Sequence, residues 1–398
     1  MKRDPLAFLK EEMEDLRESD LDWKIRHLEN ASQPHCKVNG KDVLMLNTNN
    51  YLGLATHPRL KEKMIDAVKK YGAGAGAVPV IAGTFDLTRQ FEEKLAEFKE
   101  VEASALCQTG FAVNSGLIPQ IIAEDDAVIS DELNHGSIID GIRLTKATRY
   151  VYKHNDVSDL EKQLEIADKK GARRILITTD GVFSMDGDIA PLKDITDLAE
   201  DYGAMVFVDD CHGEGVLGKN YSGKGIVDHF GLQGRVQIEG GSMSKGFGVF
   251  GGTIAGSENL IDFMKNKSRT YLLSTAHPPS VVAACIAAIE VVQEDNSRVK
   301  TLWDHTNYFK QEIQNLGFDT GASETPIIPL IIGDPGPAQD LADILFREEN
   351  IYTTPIVFPM VAKELSRIRV QMNFLLSRED LDNALSSIEK VGKKLKII

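Results

Sequence analysis

Lys245 stands in GGSMSKGFGVFGG (240–252), with small and apolar residues around it and no charged neighbour. Glycine on both sides of a lysine means that something must approach the backbone closely. Three other short stretches carry groups able to hold or move protons. They are DELNHGS with His135, DGVFSMDGD with Ser184, and DDCHGEG with Asp209 and His212. Each follows an apolar run of strand length: AVIS, RILITT, AMVFV and, before Lys245, VQIE. In open parallel sheets ligands bind beyond the carboxyl ends of the strands. Four strand ends carrying Asp, His, Ser and Lys therefore define one candidate site.

Three chemistries compete for it. GKNYSGKG (218–225) approaches a phosphate-binding loop, but Gly225 stands where a hydroxyl would bind magnesium, and no clear helix follows. Asp209, Cys211 and His212 could be metal ligands, but alternation along an extended chain points Cys211 away from the other two, so no metal is expected. Pyridoxal phosphate (PLP) chemistry needs a lysine for a Schiff base and a carboxylate that keeps the pyridine nitrogen protonated. It also needs a phosphate cradle and a flat group over the ring. Lys245, Asp209 and His135 supply three of these parts. CQTGFAVNSG, opening a helix at about Thr109, offers backbone N–H groups for the phosphate.

The elements that position these residues follow from hydropathy. Continuous apolar runs, with GTIAG (252–256) as the last, alternate with helical stretches such as LEKQLEIADKKG and LKDITDLAEDYG. That pattern predicts an α/β fold with a mostly parallel sheet covered on both faces. PPSVVAACIAAIEVVQED predicts a long helix opened by proline, and the alternation after it a smaller α+β domain. The expected division is an N-terminal helical arm with a strand pair (1–49), a large domain (50–285) and a small C-terminal domain (286–398). The 398 residues carry 60 acidic and 45 basic side chains, a net charge of −15, and no basic run interleaved with aromatics, which excludes nucleic acid as a partner. No apolar stretch has the length of a membrane span, and the N-terminus lacks an apolar signal core. Cys36, Cys107, Cys211 and Cys285 are scattered, as reduced thiols in a cytoplasmic protein would be.

Several longer stretches carry a family resemblance: NNYLGLATHPRL, SDELNHGSIIDGIRLTKA, TDGVFSMDGDIAPL, VFVDDCHGEGVLG, GGSMSKGFGVFGG, STAHPP and RIRVQM. In this order and spacing the chain resembles the α-oxoamine synthases, fold-type I PLP enzymes, over nearly its full length. The resemblance implies that Lys245 carries the cofactor, Asp209 pairs with the pyridine nitrogen, and His212 and Ser184 hydrogen-bond the phenolic oxygen. His135 would stack on the ring and help place the substrates. Gly110, Phe111 and Ser242 would bind the phosphate, and Ser274 and Thr275 would reach the phosphate in the partner subunit, implying an obligate homodimer. Asn49 and Arg369 would hold the amino acid; strand alternation lets Arg367 and Arg369 point the same way, so the choice of Arg369 rests on the family match.

The implied reaction is the condensation of an amino acid with an acyl-CoA, the Lys245 amine serving as base for the Cα proton. The branch that joins glycine to acetyl-CoA, the glycine C-acetyltransferases, looks most similar. The alternative is 8-amino-7-oxononanoate synthesis from alanine and a pimeloyl thioester, or a broader specificity. Pro79 stands where many members have arginine, Thr88 where many have histidine, and NFLLSRED, with Phe374 and Leu375, replaces small residues and a histidine. The first two lie near the acyl-CoA entrance of the family. SMSKGFG replaces the commoner TLSKALG and keeps the hydroxyl at Ser242.

Overall fold

The computed structural model describes residues 4–398. Its strands are β1 (His35–Val38), β2 (Lys41–Met45), β3 (Ala103–Cys107), β4 (Ala127–Asp131), β5 (Thr148–Tyr152), β6 (Ile175–Asp180) and β7 (Met205–Asp209), then β8 (Ile238–Ser242), β9 (Gly252–Gly256), β10 (Ile327–Gly333), β11 (Ile351–Tyr352), β12 (Pro355–Ile356) and β13 (Ser366–Gln371). Among the described residues no helix is long and apolar enough to cross a membrane.

Backbone packing divides the chain into two units: Asn49–Ser184 with Asp188–Leu302, and the residues up to Thr48 with Met185–Gly187 and Trp303–Ile398. This differs from the three parts expected from sequence. The N-terminal segment is no separate arm, because β2 of its β1–β2 hairpin pairs in parallel with β11. The helix Pro279–Glu294, which the expected limit at 285 would divide, lies wholly in the larger unit. Its Ala- and Val-rich faces pack against the helices Pro58–Tyr71 and Asp86–Lys99 of the larger unit.

The larger unit is built on a seven-stranded sheet of order β3-β9-β8-β7-β6-β4-β5. Strands β5, β4, β6, β7 and β8 run parallel, and β9 is antiparallel to both of its neighbours. Every residue of β4, β6 and β8 is buried, which is why these strands read as continuous apolar runs: helices cover both faces. Register then aligns their ends. Asp180 of β6 pairs with Asp209 of β7, and Asp209 with Gly240 of β8. Residues paired across parallel strands face the same side, so the polar ends of three strands meet on one rim. The helix Gly110–Ile121 covers one face over a cluster that includes Val113, Leu117, Phe207, Ile238 and Ile254.

The smaller unit holds the antiparallel sheet β10-β13-β12. On β13, Arg367 is buried and donates to Asp186 Oδ1 at 2.6 Å and to the Met185 carbonyl at 3.1 Å. This commits Arg367 to holding residues 185–187. Arg369, two residues on, is only partly buried and lies opposite Pro329 of β10.

The same rim of the large sheet is closed at β4 and β5 by an ion-paired histidine. His154, just after β5, places Nδ1 3.0 Å from Asp131 Oδ1 and Nε2 2.7 Å from Asp188 Oδ2, while Phe183 stands edge-on to its ring at 4.4 Å. Burial alone would lower the imidazole's pKa; the hydrogen bonds to Asp131 and Asp188 outweigh it and raise it to about 10. The ring therefore stays protonated in the folded chain and pins the loop that carries Ser184. A pKa raised on folding stabilises in full below the unfolded value of about 6.5 and loses that contribution as pH climbs to the folded value. His154→Gln is expected to lower the unfolding free energy at pH 7 by roughly 2–4 kcal/mol. Urea denaturation from pH 6.5 to 10 should show wild-type stability falling, with a flatter profile in the variant.

Candidate active site

A cavity of about 200 Å³ opens at the aligned strand ends of the larger unit, lined by Thr109, Gly110, Phe111, His135, Ser184, Asp209, His212, Ser242 and Lys245 among others. These side chains come from stretches far apart in sequence, and the parallel register brings them together. Ser274, Thr275, Asn49 and Arg369 are not among the lining residues. Ser274 and Thr275 lie in the segment before the helix Pro279–Glu294, where the Thr275 carbonyl accepts Gln108 Nε2 at 3.1 Å.

Asp209 forms the closed end, with 6% of its surface exposed. A buried carboxylate is costly unless hydrogen-bonded, and two donors meet it: Asn114 Nδ2 at 2.5 Å and the Cys211 N–H at 3.0 Å. Cys211 itself is buried, and burial beside Asp209 pushes its thiol far above the usual range. Among the described residues no cluster of His, Cys, Asp and Glu could hold a metal ion. Asp180, opposite Asp209 in register, also lines the cavity and accepts the His135 N–H at 2.9 Å. Burial and the Asp209 charge push the Asp180 carboxyl well above the ordinary range, against the pull of that N–H and of Lys245.

The histidines are fixed by local partners. His135 caps the helix Gly136–Arg143, its Nδ1 accepting the Ser137 N–H at 3.2 Å. Protein packed against its ring, together with the Lys245 charge, lowers its pKa, while Asp209 opposes the shift. His212 Nδ1 lies 2.9 Å from the hydroxyl of the buried Tyr51. At the mouth, the helix Gly110–Ile121 begins with its N-cap Thr109 accepting the Ala112 N–H at 3.0 Å. The N–H groups of Gly110 and Phe111, in the first turn, have no acceptor within the helix and point out of its positive end. Ser242 Oγ donates to the Gly251 carbonyl at 3.1 Å and lies 2.7 Å from Ser244 Oγ, a second hydroxyl on the cavity wall.

Two glycines beside Lys245 make room for protein, where the sequence suggested room for a ligand. A Cβ on Gly246 would lie 2.5 Å from the Glu214 carbonyl, and Gly248 has φ +66° with Ala55 N 2.5 Å from its would-be Cβ. The near match to a phosphate loop is likewise structural. Asp228 Oδ2 accepts the Lys219 N–H at 2.9 Å and the Ser222 hydroxyl at 2.6 Å, closing 218–225 as a turn. Pro79 and Thr88, the two departures near the acyl entrance, line one small separate cavity with Gln108 and His277.

Sequence reading missed Asn114, Ser137, Asp180, Ser244 and Tyr51. Asn114 follows Gly110 by one helical turn and Asp180 ends the RILITT run, so both were within reach of spacing. Tyr51 was visible only as part of NNYLGL.

Behind the site lies a buried ionic cluster. Lys99 Nζ is 2.9 Å from Glu239 Oε2, 3.4 Å from Glu214 Oε1 and 3.8 Å from Asp210 Oδ2, and it donates to the Lys224 carbonyl at 2.7 Å. Burial would discharge this lysine; the three acidic neighbours outweigh it and hold its charge, while burial pushes the Asp210 and Glu239 carboxyls above the usual range against the pull of Lys99. Glu214 in turn accepts the Ser242 N–H at 3.0 Å, linking the cluster to the cavity wall. Lys99→Met would leave three buried carboxylates without their cation and is expected to destabilise the protein by about 3–5 kcal/mol. Urea unfolding checks this; a loss below about 1 kcal/mol would contradict the assigned charges.

The donor set fits PLP. Asp209 at the closed end matches a pyridinium N–H, Lys245 offers an amine, and the helix terminus with Ser242 and Ser244 suits a phosphate dianion. The pattern of the aminotransferase class I and II family matches residues 41–388. The chain is 53% identical over 392 residues to 8-amino-7-oxononanoate synthase of Fervidobacterium nodosum, covering 98% of each chain. It is 50% identical over 391 residues to the protein of the same name in Symbiobacterium thermophilum, covering 98% of this chain and 99% of that one. Among solved structures it resembles a serine palmitoyltransferase variant from S. paucimobilis with a bound PLP–myriocin aldimine. That similarity has a TM-score of 0.93 and 26% identity across the whole of both chains.

Proposed function

Because this chain belongs to the aminotransferase class I and II family and, within it, to the α-oxoamine synthases, we propose that it condenses alanine with a pimeloyl thioester to give 8-amino-7-oxononanoate. It is a PLP-dependent C-acyltransferase of that type. One observation carries the choice of substrates: relatives about half identical over 98% of the chain share the name 8-amino-7-oxononanoate synthase. Pro79 and Thr88, where many family members carry a cation and an imidazole, support an acyl group other than acetyl. This reading replaces the glycine and acetyl-CoA pairing expected from the motifs alone.

PLP, when bound, supplies the electron sink for the charge that develops at the amino acid's Cα. Asp209 holds a proton at the pyridine nitrogen. His212, itself held by Tyr51, and Ser184 hydrogen-bond the phenolic oxygen. The N–H groups of Gly110 and Phe111 would hold the phosphate, joined by the Ser242 hydroxyl on turning from the Gly251 carbonyl. Ser274 and Thr275 of one protomer reach the phosphate in its partner, so the working unit is a homodimer. Lys245 would hold the cofactor through its amine, and the same amine, when free, would be placed to take the amino acid's Cα proton. His135 stacks over the ring, and Asn49 and Arg369 hold the amino acid, the arginine fork matching its carboxylate. A bond would then form between Cα and the thioester carbonyl carbon as the C–S bond breaks, the CoA thiolate taking up a proton from water; the amino acid's carboxylate would depart as CO2, and the electron pair left at Cα would take up the proton that the Lys245 amine had removed.

The test is a matrix of glycine, alanine and serine against acetyl-, succinyl-, pimeloyl- and palmitoyl-CoA, following CoA release by the PLP-loaded enzyme. Alanine with pimeloyl-CoA is expected to give the highest kcat/KM. A higher value for glycine with acetyl-CoA would overturn the substrate assignment and leave the family intact.

A further inference from the structure

Asn114 sits at the centre of a hydrogen-bonded chain that the functional reading does not use. It is buried on the helix Gly110–Ile121, and its Nδ2 donates to Asp209 Oδ2 at 2.5 Å and to Ser137 Oγ at 2.8 Å. Both amide protons are therefore spent. The flipped amide would set an oxygen against a carboxylate, so the orientation is fixed by chemistry. Ser137 Oγ accepts from Asn114, and its own hydrogen is left for the nearest acceptor, His135 Nδ1, 2.6 Å away. The Ser137 N–H meets the same nitrogen at 3.2 Å. A ring nitrogen that receives two donors cannot carry a proton. The proton of the neutral imidazole must then sit on Nε2, the nitrogen away from Ser137.

Resting on the PLP reading of the cavity, we infer that Asn114 is a positioning residue that ties His135 to Asp209 and, through Ser137, fixes the His135 imidazole as the Nε2–H tautomer. His135 thereby meets the substrate as a hydrogen-bond donor, suited to an acceptor oxygen such as a carboxylate or a thioester carbonyl. The same amide holds the carboxylate assigned to the pyridine nitrogen, so one side chain sets the geometry of the group beneath the cofactor and the group above it.

Histidine ring 15N NMR of the full-length protein tests this, with and without PLP, the His135 signals being those lost in His135→Gln. At pH 7.5 Nε2 is expected to be protonated and Nδ1 bare. In Asn114→Ala the ring should become a mixture of tautomers, and in the PLP-loaded enzyme KM for the amino acid should rise roughly three- to tenfold, the worth of one hydrogen bond, with a smaller change in kcat. A wild-type ring protonated on Nδ1 overturns the inference, as does an Asn114→Ala protein with unchanged tautomer and KM. If Asn114→Ala does not fold, Ser137→Ala removes the hydroxyl alone and should shift the tautomer in the same direction; an unchanged ring would overturn the inference. The ring signal needs no cofactor, so a protein that takes up no PLP defeats the functional reading, while the tautomer assignment is still decided by the apo-protein signal.

Discussion

Asp209 ends β7 almost wholly out of water, and burying a carboxylate costs several kcal/mol unless donors surround it. Much of the larger unit is arranged to meet that demand. The helix Gly110–Ile121 must lie close enough for Asn114 to reach it, and the turn after β7 must aim the Cys211 N–H back at it. Register places Asp180 directly alongside, and burial, reinforced by the Asp209 charge, raises the Asp180 carboxyl well above the ordinary range. A buried carboxyl held this way is the group we propose to meet the cofactor's ring nitrogen. The site's other groups, among them Ser242, Ser244, Lys245, His135 and the Gly110–Phe111 helix terminus, line the same cavity.

A second layer keeps this arrangement rigid. The Lys99 cluster and the His154 clamp are both outside the cavity, yet each holds a segment that lines it. Glu214 carries the Ser242 backbone, and Asp188 closes the loop of Ser184. The glycines next to Lys245 belong to this layer as well, since neighbouring backbone fills the space that their missing side chains leave.

The parallel sheet was legible because β4, β6, β7 and β8 are covered on both faces, so burial wrote itself as apolar runs ending in polar clusters. The edge strands β3 and β5 were not: β5 is largely exposed and reads as TRYVY, without a continuous apolar run. The antiparallel direction of β9 leaves no mark in GTIAG, because buried strands look alike in either sense. The grouping of Lys245, Asp209, His135, His212 and Ser184 followed from strand-end logic together with the family motifs. Asn114 and Ser137 escaped it, since their importance lies in which atoms they bridge, and hydrogen bonds between distant segments have no sequence period. Domain limits were misplaced for a similar reason: the pairing of β2 with β11 joins residues some 300 positions apart. The choice of acyl group was the least legible, because it turns on single substitutions such as Pro79 and Thr88, whose effect depends on the shape around them.

The central claim is that the strand-end cavity binds PLP with Lys245 as its anchor. The most direct measurement is borohydride reduction of the purified, PLP-loaded protein, followed by proteolysis and mass spectrometry of the modified peptide. The expected result is a yellow protein that bleaches on reduction, with the cofactor fixed to Lys245 within GGSMSKGFGVFGG. A protein that retains no cofactor, or a cofactor fixed to another lysine, would contradict the account.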